Sequence, residues 1–160
     1  MRFVALLAFF ALALVVGPAA AASAAAPFAG LEGTWAGEGE ARMANGGVER
    51  LSCSASYAVS GGGGHLDQTL VCAGDQGQFA FANALDASDG ALLGVWRETT
   101  RRVEGGLSGR AAAGVLTLTA RGQAFSAETV VVTHGARQSI SLRGQGGGFA
   151  FATIEMRRRR

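Results

Sequence analysis

Few side chains in this 160-residue chain are of a reactive type, and their placement is restrictive. Cys53 and Cys72 are the only thiols, and both lie in one stretch around the glycine run at residues 61–64. They are equidistant from the midpoint of that run. Folded as a hairpin, the stretch sets Cys53 opposite Cys72, Ala55 opposite Leu70, Tyr57 opposite Gln68 and Val59 opposite Leu66. All of these then share one face, because side chains alternate along a strand. The other face carries Ser52, Ser54, Ser56, Asp67 and Thr69. One register therefore satisfies both the apolar alternation and the cysteine pairing. Facing positions on antiparallel neighbours lie within disulfide reach, so the expected chemistry is a structural Cys53–Cys72 bond.

The remaining reactive groups form no catalytic constellation. His65 and His134 fall in turns with no cluster of carboxylates or free thiols nearby, so no metal site is expected. Glu98 points inward but has no second acid, histidine or nucleophile at a recognisable spacing. A lone inward carboxylate is costly, so it should sit at a rim or pair with an arginine. The glycine run is followed by neither a helix nor Gly-Lys-Ser/Thr, and is not a phosphate loop. The expectation is a non-enzymatic protein without a cofactor.

What must position these groups is a series of short strands. Period-two alternation recurs over residues 33–43, 48–60, 65–73, 78–86, 91–101, 103–111, 114–120, 123–133, 137–143 and 148–157. Turn residues punctuate it at Asn45-Gly46, Gly74-Asp75, Asp89-Gly90, Arg121-Gly122 and His134-Gly135. Short connections favour an antiparallel up-and-down meander, and closing it into a barrel of roughly eight to ten strands removes the edges. A two-sheet sandwich would show similar alternation and is the alternative.

Carrying the hairpin register forward gives one inward layer of Trp35, Ala55, Leu70, Phe81, Trp96, Leu107, Leu118 and Phe125. The next contains Gly33, Tyr57, Gln68, Asn83, Gly94, Gly109, Leu116, Ala127 and Leu142. Glycines beside inward polar groups describe a modest pocket for a small apolar ligand, lined by Trp35, Tyr57, Gln68, Asn83 and Trp96. Equally, the glycines would relieve strain at barrel corners while the polar groups satisfy one another.

Residues 1–24, with Arg2, an apolar run and alanines, have the form of a signal peptide, with cleavage after Ala22 or Ala24. The run is short for a membrane span, and none is expected after cleavage. Residues 25–32 form an N-terminal extension, 33–157 the barrel and 158–160 a basic tail. Export fits an oxidised cysteine pair and places the protein in a bacterial periplasm or outside the cell. Every Lys-or-Arg position is arginine, and charge is near neutral apart from the terminal run, so no nucleic-acid surface is implied.

Gly33-Thr34-Trp35 resembles the Gly-x-Trp that opens calycin barrels, the lipocalins and avidins. That resemblance implies that Trp35 closes one barrel end. The outline is also similar to small periplasmic metalloprotease inhibitors of Gram-negative bacteria, which implies a role for residues 25–32 against a protease. Gly-x-Trp repeats as Gly94-Val95-Trp96, as in uncharacterised exported proteins of proteobacteria. The alternative function is therefore an interaction module, a protease inhibitor or an envelope-associated protein, acting through residues 25–32 or the outer face. Ala80, Ala82, Ala84, Leu93 and Val95 form an outward apolar patch, with Val130 and Val132 a second, and either would suit a weak homodimer.

Overall fold

The computed structural model describes residues 26–123, 125–146 and 148–160. The expected leader, its cleavage site and Ala25 lie outside the described residues. Ten strands follow one another: β1 Gly33–Met43, β2 Val48–Ser60, β3 His65–Gly74, β4 Gly77–Ser88, β5 Ala91–Glu98, β6 Val103–Ala112, β7 Val115–Arg121, β8 Phe125–His134, β9 Arg137–Gly146 and β10 Phe149–Arg158. Each pairs antiparallel with its neighbours in sequence, and β1 pairs with β10 to close the barrel. The expected barrel, and not the sandwich, is the fold.

The β2–β3 hairpin has the register that the cysteines dictate: Cys53 faces Cys72, and Tyr57 faces Gln68. The disulfide is formed, and both cysteines are buried. Their separation of 19 residues closes a short loop, worth about 3 kcal/mol in the chain-entropy account.

From β4 onward the expected layers slip. Asn83 faces Trp96 and Phe81 faces Glu98, two residues from the expected Asn83–Gly94 and Phe81–Trp96 pairs. Leu107 faces Ala120 rather than Leu118, and Leu118 faces Thr129 rather than Phe125. The turns are the reason. Asp89 and Gly90 both have positive φ (50° and 77°), as do Ala113 and Gly114 (48° and 81°). Such pairs make two-residue hairpin loops that fix the pairing around themselves. Every slip is an even number of residues, so each side chain keeps its predicted face.

The ends of the barrel differ. At the end holding the start of β1, residues 26–31 fold into a turn that inserts Phe28, fully buried, with Leu31 beside it. The indole N–H of Trp35 donates to Leu31 O at 2.8 Å. Arg158 lies 4.8 Å over the Trp35 ring and donates to Gly30 O, so it is the end of β10 rather than the first residue of a solvated tail. Arg159 and Arg160 are exposed. Around this rim the carbonyls of Gly64, Gly90, Gly114 and Ala136 each accept an N–H from the strand beyond, at 2.8–3.0 Å.

Closure depends on two glycines. A Cβ on Gly37 would overlap Glu155 O across the β1–β10 seam, and one on Gly39 would overlap Thr153 O. By contrast, nothing lies within 4 Å of a Cβ built on Gly106. Overpacking of this kind costs about 1–3 kcal/mol. Gly37→Ala is therefore expected to lower the thermal midpoint by several degrees while Gly106→Ala leaves it nearly unchanged; equal midpoints in differential scanning calorimetry would remove the seam constraint.

Candidate functional site

Alternation sends Tyr57, Gln68, Asn83 and Gln138 into a largely apolar interior, where an unpaired polar group is costly. They are joined in a chain. Asn83 Nδ2 donates to Gln68 Oε1 at 2.7 Å, and Gln68 Nε2 donates to the Tyr57 hydroxyl at 3.1 Å. That hydroxyl donates to Gln138 Oε1 at 2.7 Å, and Gln138 Nε2 donates to Thr133 Oγ1 at 3.1 Å. The chain thus links β4, β3, β2, β9 and β8. Tyr57 and Gln138 are buried, whereas Gln68 and Asn83 are half-buried. Burial pushes the Tyr57 phenol up to about 12, against the opposing pull of its bonds to Gln68 and Gln138.

Of the predicted site residues, Tyr57, Gln68 and Asn83 are brought into direct contact. Trp35 packs edge-on against Tyr57, with ring centroids 6.2 Å apart, and is committed to closing its end of the barrel. Trp96 faces Asn83 across β4–β5 and leans toward the opposite end. There its N–H donates to Arg121 O at 3.3 Å and its ring meets Phe125 edge-on at 5.7 Å. Sequence reading missed Gln138 and Thr133. The signal for Gln138 was its place two before Ile140 and four before Leu142 on the inward face.

The inward glycines divide against the cavity reading. A Cβ on Gly94 would overlap Ala84 O, and one on Gly109 would overlap Thr117 O, so a neighbouring backbone occupies that space. Gly33 has φ of 112° and nothing within 4 Å. A cavity of about 400 Å³ lies against the outer face of β2–β5, lined by Ser56, Ala58, Asp67, Ala82, Ala84 and Val95 and, between these rows, by Tyr57, Gln68 and Asn83.

Glu98 is buried at the end opposite Trp35, only 4% exposed, and serves the loop that follows it. Its carboxylate accepts from Thr100 Oγ1, from the N–H groups of Ala80 (3.2 Å), Thr100 (3.2 Å) and Arg101 (2.6 Å), and meets the Arg101 guanidinium at 3.7 Å. Burial would raise its pKa, but the bonds from Thr100, Ala80 and Arg101 together outweigh burial and hold it below the usual carboxylate value. Glu49, also inward and buried, accepts from the Gln76 N–H at 2.6 Å; its Oε2 has no partner among the described residues. On the outer surface, His65 bridges Asp86 (2.7 Å) and Asp67 (3.3 Å). The Asp86 hydrogen bond is the main reason its pKa is raised. Among the described residues no group of three or more His, Cys, Asp or Glu side chains is disposed to hold a metal ion.

No family model matches the sequence, and no curated protein matches it at a significant level. Among solved structures, Rv2717c from M. tuberculosis has a similar fold, with a TM-score of 0.67 over 82% of this chain and 94% of that one, at 16% identity. That similarity extends to the barrel architecture alone.

Two variants test the roles of the buried groups. Tyr57→Phe leaves Gln68 and Gln138 each short of a partner and should cost about 1–3 kcal/mol. Because the folded phenol titrates above its unfolded value of 10.0, wild-type stability should fall as pH rises from 10 toward 12, where the unfolded tyrosine ionises first. The Phe variant, lacking the phenol, should show a shallower decline in urea melts. Glu98→Gln should also cost about 1–3 kcal/mol at pH 7. Since the folded carboxyl is depressed, its contribution is full above the unfolded value of 4.5 and is lost as pH falls through the folded one. Wild type and Glu98→Gln should therefore converge in acid; a constant gap would exclude the ionised carboxylate as the cause.

Proposed function

We propose that this is an exported, non-catalytic barrel that binds a small, mostly apolar molecule in its interior, beside Asn83. The observation that carries the reading is the uneven burial of the interior polar chain. Its Tyr57 and Gln138 links are sealed, whereas Gln68 and Asn83 are half-buried, and Asn83 Oδ1 has no partner among the described residues. Half-buried Phe81 stands on the same face of β4, and Trp96 is opposite. Apolar walls with one accessible amide are the ordinary composition of a small-molecule site. The leader and the disulfide support export to an oxidising compartment.

The second reading, an interaction module, is favoured by the depression on the outer face of β2–β5. Of its two expected routes, the outer face is the one supported by the burial of Phe28 and Leu31 of the N-terminal segment in the barrel end. Titration of the protein with a mostly apolar fluorophore that carries one hydrogen-bond donor, read through tryptophan emission, separates the two. A ligand barrel should show saturable quenching, with affinity reduced about tenfold or more in Asn83→Leu, in line with loss of one hydrogen bond near 1.4 kcal/mol. Unchanged emission throughout the titration would remove the ligand reading.

A further inference from the structure

The outer face of β2–β5 is asymmetric in a way that the strand registers make explicit. Three rows cross it. Ser56, Thr69, Ala82 and Arg97 stand side by side, then Ala58, Asp67, Ala84 and Val95, then Ser60, His65, Asp86 and Leu93. The β5 edge is therefore tall, with Leu93 67% and Val95 51% exposed, and the β2 edge is low, made of serine and alanine. Leu93 and Val95 are thus two large apolar side chains held in water on consecutive outward positions. Between the edges lies the depression of about 400 Å³, floored by Ala82 and Ala84.

We propose that this face binds a second copy of the chain, as a two-fold dimer whose axis runs along the strands between β3 and β4. Such an axis lays β5 of each copy over β2 of the other. Val95 then sits over Ala58 of the second copy, Leu93 over Ser60, and Arg97 over Ser56, and every contact occurs twice, as an isologous interface requires. Tall residues meet short ones on both sides, so the face is complementary to itself. Charge agrees with the same axis. Asp67 is a diagonal neighbour of Ser56 on the adjacent strand, about 7–8 Å away; Arg97 meets Glu104 of its own copy through Nε at 2.9 Å, and the other N–H groups of its guanidinium are left to reach Asp67 from above Ser56. The acids at the centre are already engaged by His65, which bridges Asp67 and Asp86, so docking does not bury an isolated pair of like charges. The patch is smaller than the ~800 Å² per partner of a standard interface, and the affinity should accordingly be in the high micromolar range.

Sedimentation of the purified protein from about 10 μM to 1 mM, a range that brackets a high-micromolar dissociation constant, tests this. The expected result is a concentration-dependent rise from monomer to dimer mass. Val95→Glu and Ala58→Arg should each weaken association at least tenfold with unchanged circular dichroism and thermal midpoint. An equimolar mixture of the two variants should recover dimer, because one contact then pairs opposite charges and the other is wild type. Should Val95→Glu disturb folding, Leu93→Glu, at a more exposed position, replaces it, with Ser60→Arg as its mixing partner. A wild type that stays monomeric throughout, variants that associate as before, or a mixture that stays monomeric would each overturn the proposal.

Discussion

Every strand of this protein has two neighbours, and that holds only because β1 pairs with β2 on one side and β10 on the other. The seam joins residues more than a hundred positions apart, such as Gly37 and Met156. Loop-closure entropy opposes such a contact. Two features offset it. Gly37 and Gly39 let the β10 carbonyls of Glu155 and Thr153 approach where a Cβ would collide. At the rim, Arg158 stacks on Trp35 and holds Gly30, so the end of the chain is fastened to the segment that plugs the barrel. Without closure, β1 and β10 would present bare edges open to pairing with other chains.

The plug and the polar chain are coupled through Trp35. Its N–H is used by Leu31, and its ring lies against Tyr57, the central link of the chain from Asn83 to Thr133. Tyr57 in turn ties β2 to β9 across the interior through Gln138, 81 positions further along. A polar chain of this kind destabilises when partly satisfied and rigidifies when complete. Here the buried links of Tyr57 and Gln138 have their partners, and among the described residues Asn83 Oδ1 has none.

Much of the architecture was legible because the cysteine pair and the apolar alternation demand the same hairpin, and antiparallel neighbours then follow from short turns. The face of each residue survived every register slip, since slips of two or four preserve parity. The slips arise where the expected layers depart from the turns: Asp89-Gly90 reads as a turn, yet an Asn83–Gly94 pair centres the loop on Ser88-Asp89, and the positive φ of both Asp89 and Gly90 moves the pairing by two. The plug was not legible. Residues 26–31 are too few for periodicity, and nothing local distinguishes a buried Phe28 from an exposed one. Gln138 and Thr133 were missed for a different reason. A polar residue on an inward face reads as an exception until its partner is known, and these partners come from strands distant in sequence.

The same economy of side chains shapes inside and outside differently. Inside, Gly94 and Gly109 admit a neighbouring carbonyl and so bend the wall without opening space. Outside, Ala58, Ala82 and Ala84 have no neighbour above them, and smallness there does leave space. Interior binding carries a requirement that the outer face does not. A guest that shields Asn83 from water without bonding it leaves a buried amide unpaired, at about 1–3 kcal/mol, comparable with the gain from burying one aliphatic side chain. An interior guest must therefore bring a hydrogen-bonding group as well as apolar surface. A partner on the outer face leaves no such group unpaired, because the acids there are already bridged by His65, and Ser56 and Thr69 already bond one another at 2.7 Å.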